Sequence, residues 1–133
     1  MRLTTKSEYA LLALLYISRH QKKGYVKIEK ICKKYNIDKK YLEQLLTHLR
    51  QKKIITTQRG AYGGYRLARP ANKITLAEII RFMDGALAPT ESVSKYFYSP
   101  TPLSNDKKIL PIFSDIRNYI AKKLEKVTLQ DLI

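Results

Sequence analysis

One cysteine, Cys32, is the only thiol in the 133-residue chain, so no internal disulfide can form, and such sparse use fits a reducing cytoplasm. Long apolar runs are missing as well. None approaches the ~20 residues needed to cross a bilayer. The apolar stretch 10–17 behind Arg2 and Lys6 has the outline of a secretory leader. It is short, Glu8 sits beside it and no small-residue cleavage site follows, so it reads as a buried helix. Histidine is limited to His20 and His48, far apart and without a further ligand at metal-binding spacing, which leaves no metal site. No nucleophile stands with a base and an orienting acid, so the chain does not read as an enzyme and no residue is assigned as catalytic. Acidic residues are scarce too: 11 Asp+Glu against 26 Lys+Arg, a net charge of +15.

That surplus is uneven. Residues 1–75 hold 18 basic and 4 acidic residues, net +14, whereas residues 76–133 hold 8 and 7, net +1. Concentrating the charge in the front half implies a polyanionic partner there and a different task for the remainder. A nucleic acid is the expected partner, ahead of a generally lysine-rich background or an anionic membrane, and the elements that follow make it double-stranded DNA.

The chain reads as mainly α with a small β-hairpin. A first helix starts at Thr4 or Thr5, because Thr5 and Glu8 have capping-box spacing, and Ala10, Leu11, Leu14, Leu15 and Ile17 give it a wide apolar face. A second helix over 27–35 turns Ile28, Ile31 and Cys32 inward, with the thiol expected to be buried and inert. Asp38 caps a third helix over 39–53, lined inside by Leu42, Leu45, Leu46 and Leu49. Two helices joined by so short a turn make a helix-turn-helix. Two strand-like runs, 54–58 and 65–68, then flank a hinge holding Gly60, Gly63 and Gly64, residues that tolerate the positive φ of a tight reversal. This hinge is too short to bury anything, and a basic hairpin projecting after two such helices is the wing of a winged helix-turn-helix. Thr75 and Glu78 cap a fourth helix stopped by Gly85. Residues 86–106, rich in Pro, Ser and Thr, form an irregular and long connection of the kind that is functional or mobile. A last helix runs from Leu110 or Pro111 to Lys126.

This pattern divides the chain into a DNA-binding domain (1–85), a loop suited to an effector (86–106) and a dimerisation helix with a C-terminal turn (107–133). The recognition face of the third helix would hold Lys39, Lys40, Tyr41, Glu43, Gln44 and Thr47, with His48 at its edge. Gln44 has the chemistry to pair with adenine, Glu43 to accept from cytosine, and the lysines to grip phosphate or guanine. Glu43 either discriminates bases or pairs with Lys39 or Lys40. On the wing, Arg59 suits a narrow minor groove, and Gly60 and Tyr62 lie beside it. Tyr65 either touches the DNA backbone or packs on the core with Leu67. The last helix carries Ile109, Ile112, Phe113, Ile116, Ile120 and Leu124 at three- and four-residue spacing, a stripe too apolar to stay exposed on so small a domain and expected to form the seam of a homodimer.

The segments RGAYGGYRLA (59–68), YLEQLLTHLRQKKII (41–55), TTKSEYALLALLYI (4–17), ITLAEIIRFMDGALAP (74–89) and VTLQDLI (127–133) together resemble the Rrf2-type transcription regulators, a family that includes an iron–sulfur cluster regulator and a cysteine-metabolism repressor. The resemblance covers nearly the whole chain. It implies a homodimeric winged-helix regulator on a pseudo-palindromic operator, most simply a repressor, with DNA contacts at Tyr41, Glu43, Gln44, Arg59 and Gly60.

One departure bears on cofactors. Cluster-binding members of that family carry three cysteines in the loop, where this chain has Ser92, Ser99 and Ser104, and serine oxygen substitutes poorly for thiolate around iron. As written the chain should take no cofactor. Two alternatives follow: a cluster-free member sensing a small molecule or partner protein at 86–106, or the apo form of an iron–sulfur sensor, whose 2Fe–2S cluster would require that the serines replace native cysteines. A rival of another class is an RNA-binding module, since residues 60–63 spell GAYG, a GXXG. Such loops join helices, and this one joins strand-like runs.

Overall fold

The structure, a computed structural model, describes residues 1–133. Helix α1 (Thr5–His20) begins one residue earlier than a Thr5–Glu8 box would have it. Thr4 is the cap, its Oγ1 accepting from Ser7 N at 3.2 Å. Two adjacent threonines each have an acceptor side chain; Thr4 wins because its extended backbone aims the hydroxyl at the first turn. Ala10, Ala13, Leu14 and Ile17 are fully buried, making α1 the central post of the core.

Helix α2 (Ile28–Tyr35) lacks a side-chain cap and ends on Asn36 in the left-handed region. Helix α3 (Lys39–Gln51) is capped by Asp38, whose carboxylate accepts from Tyr41 N at 3.0 Å. It stops two residues short of the Lys53 expected from sequence, because Lys53 turns left-handed (φ 59°) to enter the hairpin. Leu42, Leu45, Leu46 and Leu49 are buried against α1, each contributing about 1.5–3 kcal/mol through removal from water.

Strands β1 (Ile55–Gln58) and β2 (Gly64–Leu67) pair antiparallel, with Ile55 opposite Leu67 and Gln58 opposite Gly64. Val26, just before α2, stitches to β2: its N–H donates to Tyr65 O and its carbonyl accepts from Tyr65 N, both at 2.8 Å. That closeness dictates Gly64. A Cβ there would strike the Val26 carbonyl, and φ is +145°. Gly63, expected to supply positive φ, serves by size instead: a Cβ would collide with the Gln58 carbonyl. Gly60 does adopt positive φ, +103°.

Helix α4 (Leu76–Asp84) starts at Thr75, which accepts from Glu78 N at 3.1 Å, and stops at Gly85 (φ +90°). Asp84 ties back to the start of the chain, accepting from both the N–H and the hydroxyl of Thr4. The segment 86–106 is more ordered than its composition suggests. It holds 3-10 turns at Glu91–Val93 and Pro102–Asn105, and Leu87, Ala88, Ser92, Val93 and Ser94 are buried.

Helix α5 (Leu110–Lys126) has no fully buried residue. Ile120 and Leu124, expected on a dimer seam, pack within the chain against the small cluster of Ala77, Ile80 and Leu87. Ile109 and Phe113 are half-buried, while Ile112 and Ile116 stand exposed at 58% and 42%. A stripe with residues at both spacings is wide enough to serve two faces, and the intrachain one takes the Ile120 side. The closing 3-10 turn, Leu129–Leu132, grouped by sequence with the dimerisation segment, instead belongs to the main core: Leu129 is fully buried there, and Leu129 N donates to Ile74 O at 3.0 Å.

Candidate nucleic-acid interface

With four leucines fixed inward, α3 turns Lys39, Lys40, Tyr41, Glu43, Gln44, His48 and Gln51 outward, and Thr47 lies half-buried among them. From Lys40 to Gln51 this face forms one shallow, wholly polar groove. Thr47 Oγ1 donates to Glu43 O at 2.8 Å, which commits its proton and leaves its lone pairs free to accept. Tyr41 meets Tyr9 edge-on at 5.8 Å, so its ring is held while its edge stays accessible. Lys39 Nζ pairs with Glu29 Oε1 on α2 at 3.2 Å. Glu29 is held below its usual carboxylate range by a backbone hydrogen bond and by that lysine, and Lys39 is raised in return. Glu43, for which Lys39 or Lys40 was a candidate mate, has no ion-pair partner. The chain has three ion pairs, and only Lys39–Glu29 lies on the helix-turn-helix, so most front-half cations are uncompensated.

The wing projects. Residues 56–62 are all exposed, Arg59 stands at the turn and Tyr62 is 90% exposed. Lys27, the residue before α2, donates from Nζ to Gly60 O at 3.1 Å and braces the tip against the helix pair. At the hairpin's other end, Leu67 N donates to Gln21 Oε1 at 2.8 Å. Tyr65 is turned inward with Leu67, as strand alternation requires, and burial followed by the nearby Glu43 charge raises its hydroxyl pKa. Of the two tyrosines considered, Tyr62 alone is free. Arg66 lies over the Tyr25 ring at 5.5 Å. The GXXG at 60–63 joins two strands rather than two helices, unlike the loops of that RNA-binding kind.

The loop places Ser92 and Ser104 in one hydroxyl network. Ser92 Oγ is 3.1 Å from Thr90 Oγ1, which is 3.4 Å from Thr101 Oγ1, and Ser104 Oγ accepts from Thr101 N at 2.9 Å. Ser99 joins through its backbone, donating to Glu91 O at 3.2 Å. This donor set of hydroxyls does not fit an iron–sulfur cluster, which takes thiolates. No group of three or more His, Cys, Asp or Glu comes together to hold a metal ion. Cys32 lies away on α2, half-buried rather than buried as its position on the inner face suggests, and burial and then Glu29 push its thiol pKa up, opposing the reactive thiolate. His20 stacks on Tyr16 at 4.0 Å and its Nδ1 lies 2.8 Å from Tyr16 O, a local structural role. No helix is long and apolar enough to cross a membrane.

Sequence reasoning missed Lys27, because its role depends on a carbonyl 33 residues away. It also missed Gln51, which lies on the same face as Gln44 and Thr47 and could have been found by continuing the helical spacing one more turn.

The Rrf2 family model, described as "Iron-dependent Transcriptional regulator", matches residues 3–133. The chain is 30% identical over 132 residues to the HTH-type transcriptional regulator CymR of Bacillus subtilis, covering 99% of this chain and 89% of that protein. Among solved structures, CymR (YrzC), the global cysteine regulator of B. subtilis, superposes with a TM-score of 0.80 at 28% identity, covering 99% of this chain and 95% of that one. IscR of T. potens superposes at 0.77 and 27% identity, covering 99% and 85%. These relatives are transcription regulators, not enzymes.

Proposed function

This chain belongs to the Rrf2 family of DNA-binding transcription regulators, and we propose that it acts as a sequence-specific repressor, binding a pseudo-palindromic operator as a homodimer. The observation that carries this reading is the polar face of α3, where Lys39 alone has an ion-pair partner, beside a projecting hairpin, both on the half of the chain with net +14. Each protomer sets α3 in a major groove, where Lys39, Lys40, Tyr41, Glu43, Gln44 and Thr47 meet base edges and phosphates. Glu43, free of an ion pair, accepts from a base. Arg59, Gly60 and Tyr62 enter the adjoining minor groove, and Lys27 sets the angle of that entry. The exposed Ile112 and Ile116 of α5, with Tyr119 beside them, form the seam with a second copy. Domain boundaries follow this division of labour, with 1–85 reading DNA, 86–106 receiving a small-molecule or protein effector, and α5 pairing the subunits.

The cluster-free alternative is favoured over a cysteine-to-serine replacement by Ser104, whose hydroxyl accepts from Thr101 N at the start of its 3-10 turn, a bond that a thiol, a weak acceptor, would make poorly. The regulator acts without a cofactor in this form.

Duplexes selected from a random pool by the protein test the proposal. Fluorescence anisotropy should show tight binding to the selected sequence and weak, strongly salt-dependent binding to a scrambled one. Arg59→Ala should lower affinity for the selected duplex. Gln44→Ala should instead narrow the gap between correct and substituted base pairs, by about 1–3 kcal/mol at the affected position. Coincident isotherms on selected and scrambled duplexes for the unaltered protein would overturn sequence-specific readout.

A further inference from the structure

Residues 76–133 are nearly neutral, with 8 basic and 7 acidic residues, yet half of those cations converge on one hollow. Arg81 from α4, Lys95 from the loop, and Arg117 and Lys122 from α5 line a cavity of about 370 Å³, with Glu125 the only acid among them. Arg81 takes that acid, its Nη2 lying 2.8 Å from Glu125 Oε1, and its side chain is only 20% exposed. Arg117 is spent on neutral oxygens, Nη1 donating to Val93 O and Nη2 to Asn118 Oδ1, both at 2.7 Å, so its charge is positioned but not neutralised. Lys95 and Lys122 have no acidic partner. Three uncompensated positive charges therefore surround one concave space. Its remaining wall is mixed: Ser94 and Asn118 add polar groups, and Leu87, Phe97 and Ala121 form an apolar patch, with the Tyr96 ring over Arg81 at 4.8 Å.

We propose that this hollow is the site of a small organic anion, a carboxylate or phosphate monoester carrying a short apolar or aromatic group. The anion compensates the cation cluster and its apolar part lies on Leu87, Phe97 and Tyr96. The volume falls at the lower end of the range for small-molecule sites, which suits a metabolite and not a polymer. A second copy of the chain is not the occupant either. At 100° per residue, Arg117, Ala121 and Glu125 lie roughly opposite Ile112, Ile116 and Tyr119 on α5, with Asn118 and Lys122 toward its flank, so the hollow is centred away from the exposed apolar face. None of the residues of the α3 groove or the wing lines it. The proposal deepens the regulator reading and rests on it, naming the chemical class of effector held between α4, the 86–106 loop and α5.

Isothermal titration of the full-length chain with phenyl phosphate, phenylacetate and neutral phenylacetamide tests it, with circular dichroism melts confirming that the variants fold. One phosphate or carboxylate probe should bind per chain, at least about tenfold more tightly than the amide, and the preferred acid identifies which headgroup the site takes. The double substitution Lys95→Gln/Lys122→Gln, which disturbs no hydrogen bond of the fold, should weaken the anion about tenfold or more and leave the amide unchanged. Absence of saturable binding by both anions, equal affinity for the amide, or indifference to the double substitution would each overturn the site. Duplex binding is titrated separately without probe. If the double substitution weakens duplex binding while neither anion binds, the cations serve DNA phosphates and the proposal falls, with the regulator reading intact.

Discussion

Gly64 shows how much can depend on one absent methyl group. Val26 passes so near that a Cβ has no room, and the backbone adopts a φ that L side chains avoid. Gly60 shares the unfavourable φ but faces open space. Gly60→Ala should therefore cost about 1 kcal/mol of unfolding free energy, and Gly64→Ala should cost distinctly more because collision adds to strain. Urea denaturation of the two variants checks the order; equal losses would mean that Val26 yields freely. Asp84 offers a second test. Burial alone would raise its pKa, but the hydrogen bonds from Thr4, helped by the nearby Lys6 charge, outweigh burial and hold the carboxyl below its ordinary 3.8. A depressed folded-state pKa means stability that is fully present above the unfolded value and lost as pH falls through the folded one. Asp84→Asn should thus be less stable than the parent at neutral pH, by about 1.5 kcal/mol for losing hydrogen bonds to a charged acceptor, with the gap closing as the medium is made more acidic than 3.8. Denaturation across that range decides it, and a gap constant with pH would contradict it.

Among the elements, local chemistry was the legible part. Asp38 and Thr75 announced their helices because a cap and its target lie three residues apart, and the glycine hinge announced its hairpin for the same reason. What sequence hid depends on distant partners. Val26 meeting Tyr65, Lys27 bracing Gly60, and Leu129 filling a hole beside Ile74 leave no mark in any short window. The apolar stripe of α5 was read correctly as amphipathic, but periodicity could not divide it between Ile120 and Leu124, which pack on α4, and Ile112 and Ile116, which face out. That division is testable. Ile112→Asp/Ile116→Asp should convert a sedimenting dimer to monomer, leaving the helical circular dichroism unchanged, because both side chains are exposed within the chain. Unchanged sedimentation would remove α5 as the seam. The candidate interface was legible as a helix face and a wing, since exposure follows from helical spacing. The cation-lined hollow was not, because its four cations come from three separate elements.

For the whole molecule, charge and apolar surface are segregated. The front half presents its surplus of lysine and arginine through α3 and the wing, and the back half supplies an exposed apolar helix face and a hollow away from both. In the proposed reading, that arrangement meets a polyanion twice, once per copy, with a separate place for a signal. The proposed homodimer fixes the spacing of what it reads by its two-fold symmetry, because both α3 helices must reach the same face of the duplex. The central claim is therefore geometric, and one titration addresses it most directly: anisotropy of the selected palindromic duplex against the same half-sites moved apart by about half a helical turn, ~5 base pairs. Paired recognition predicts that the spread duplex binds about a hundredfold more weakly or worse, since the second α3 can no longer engage. Equal affinity for the two duplexes would contradict it.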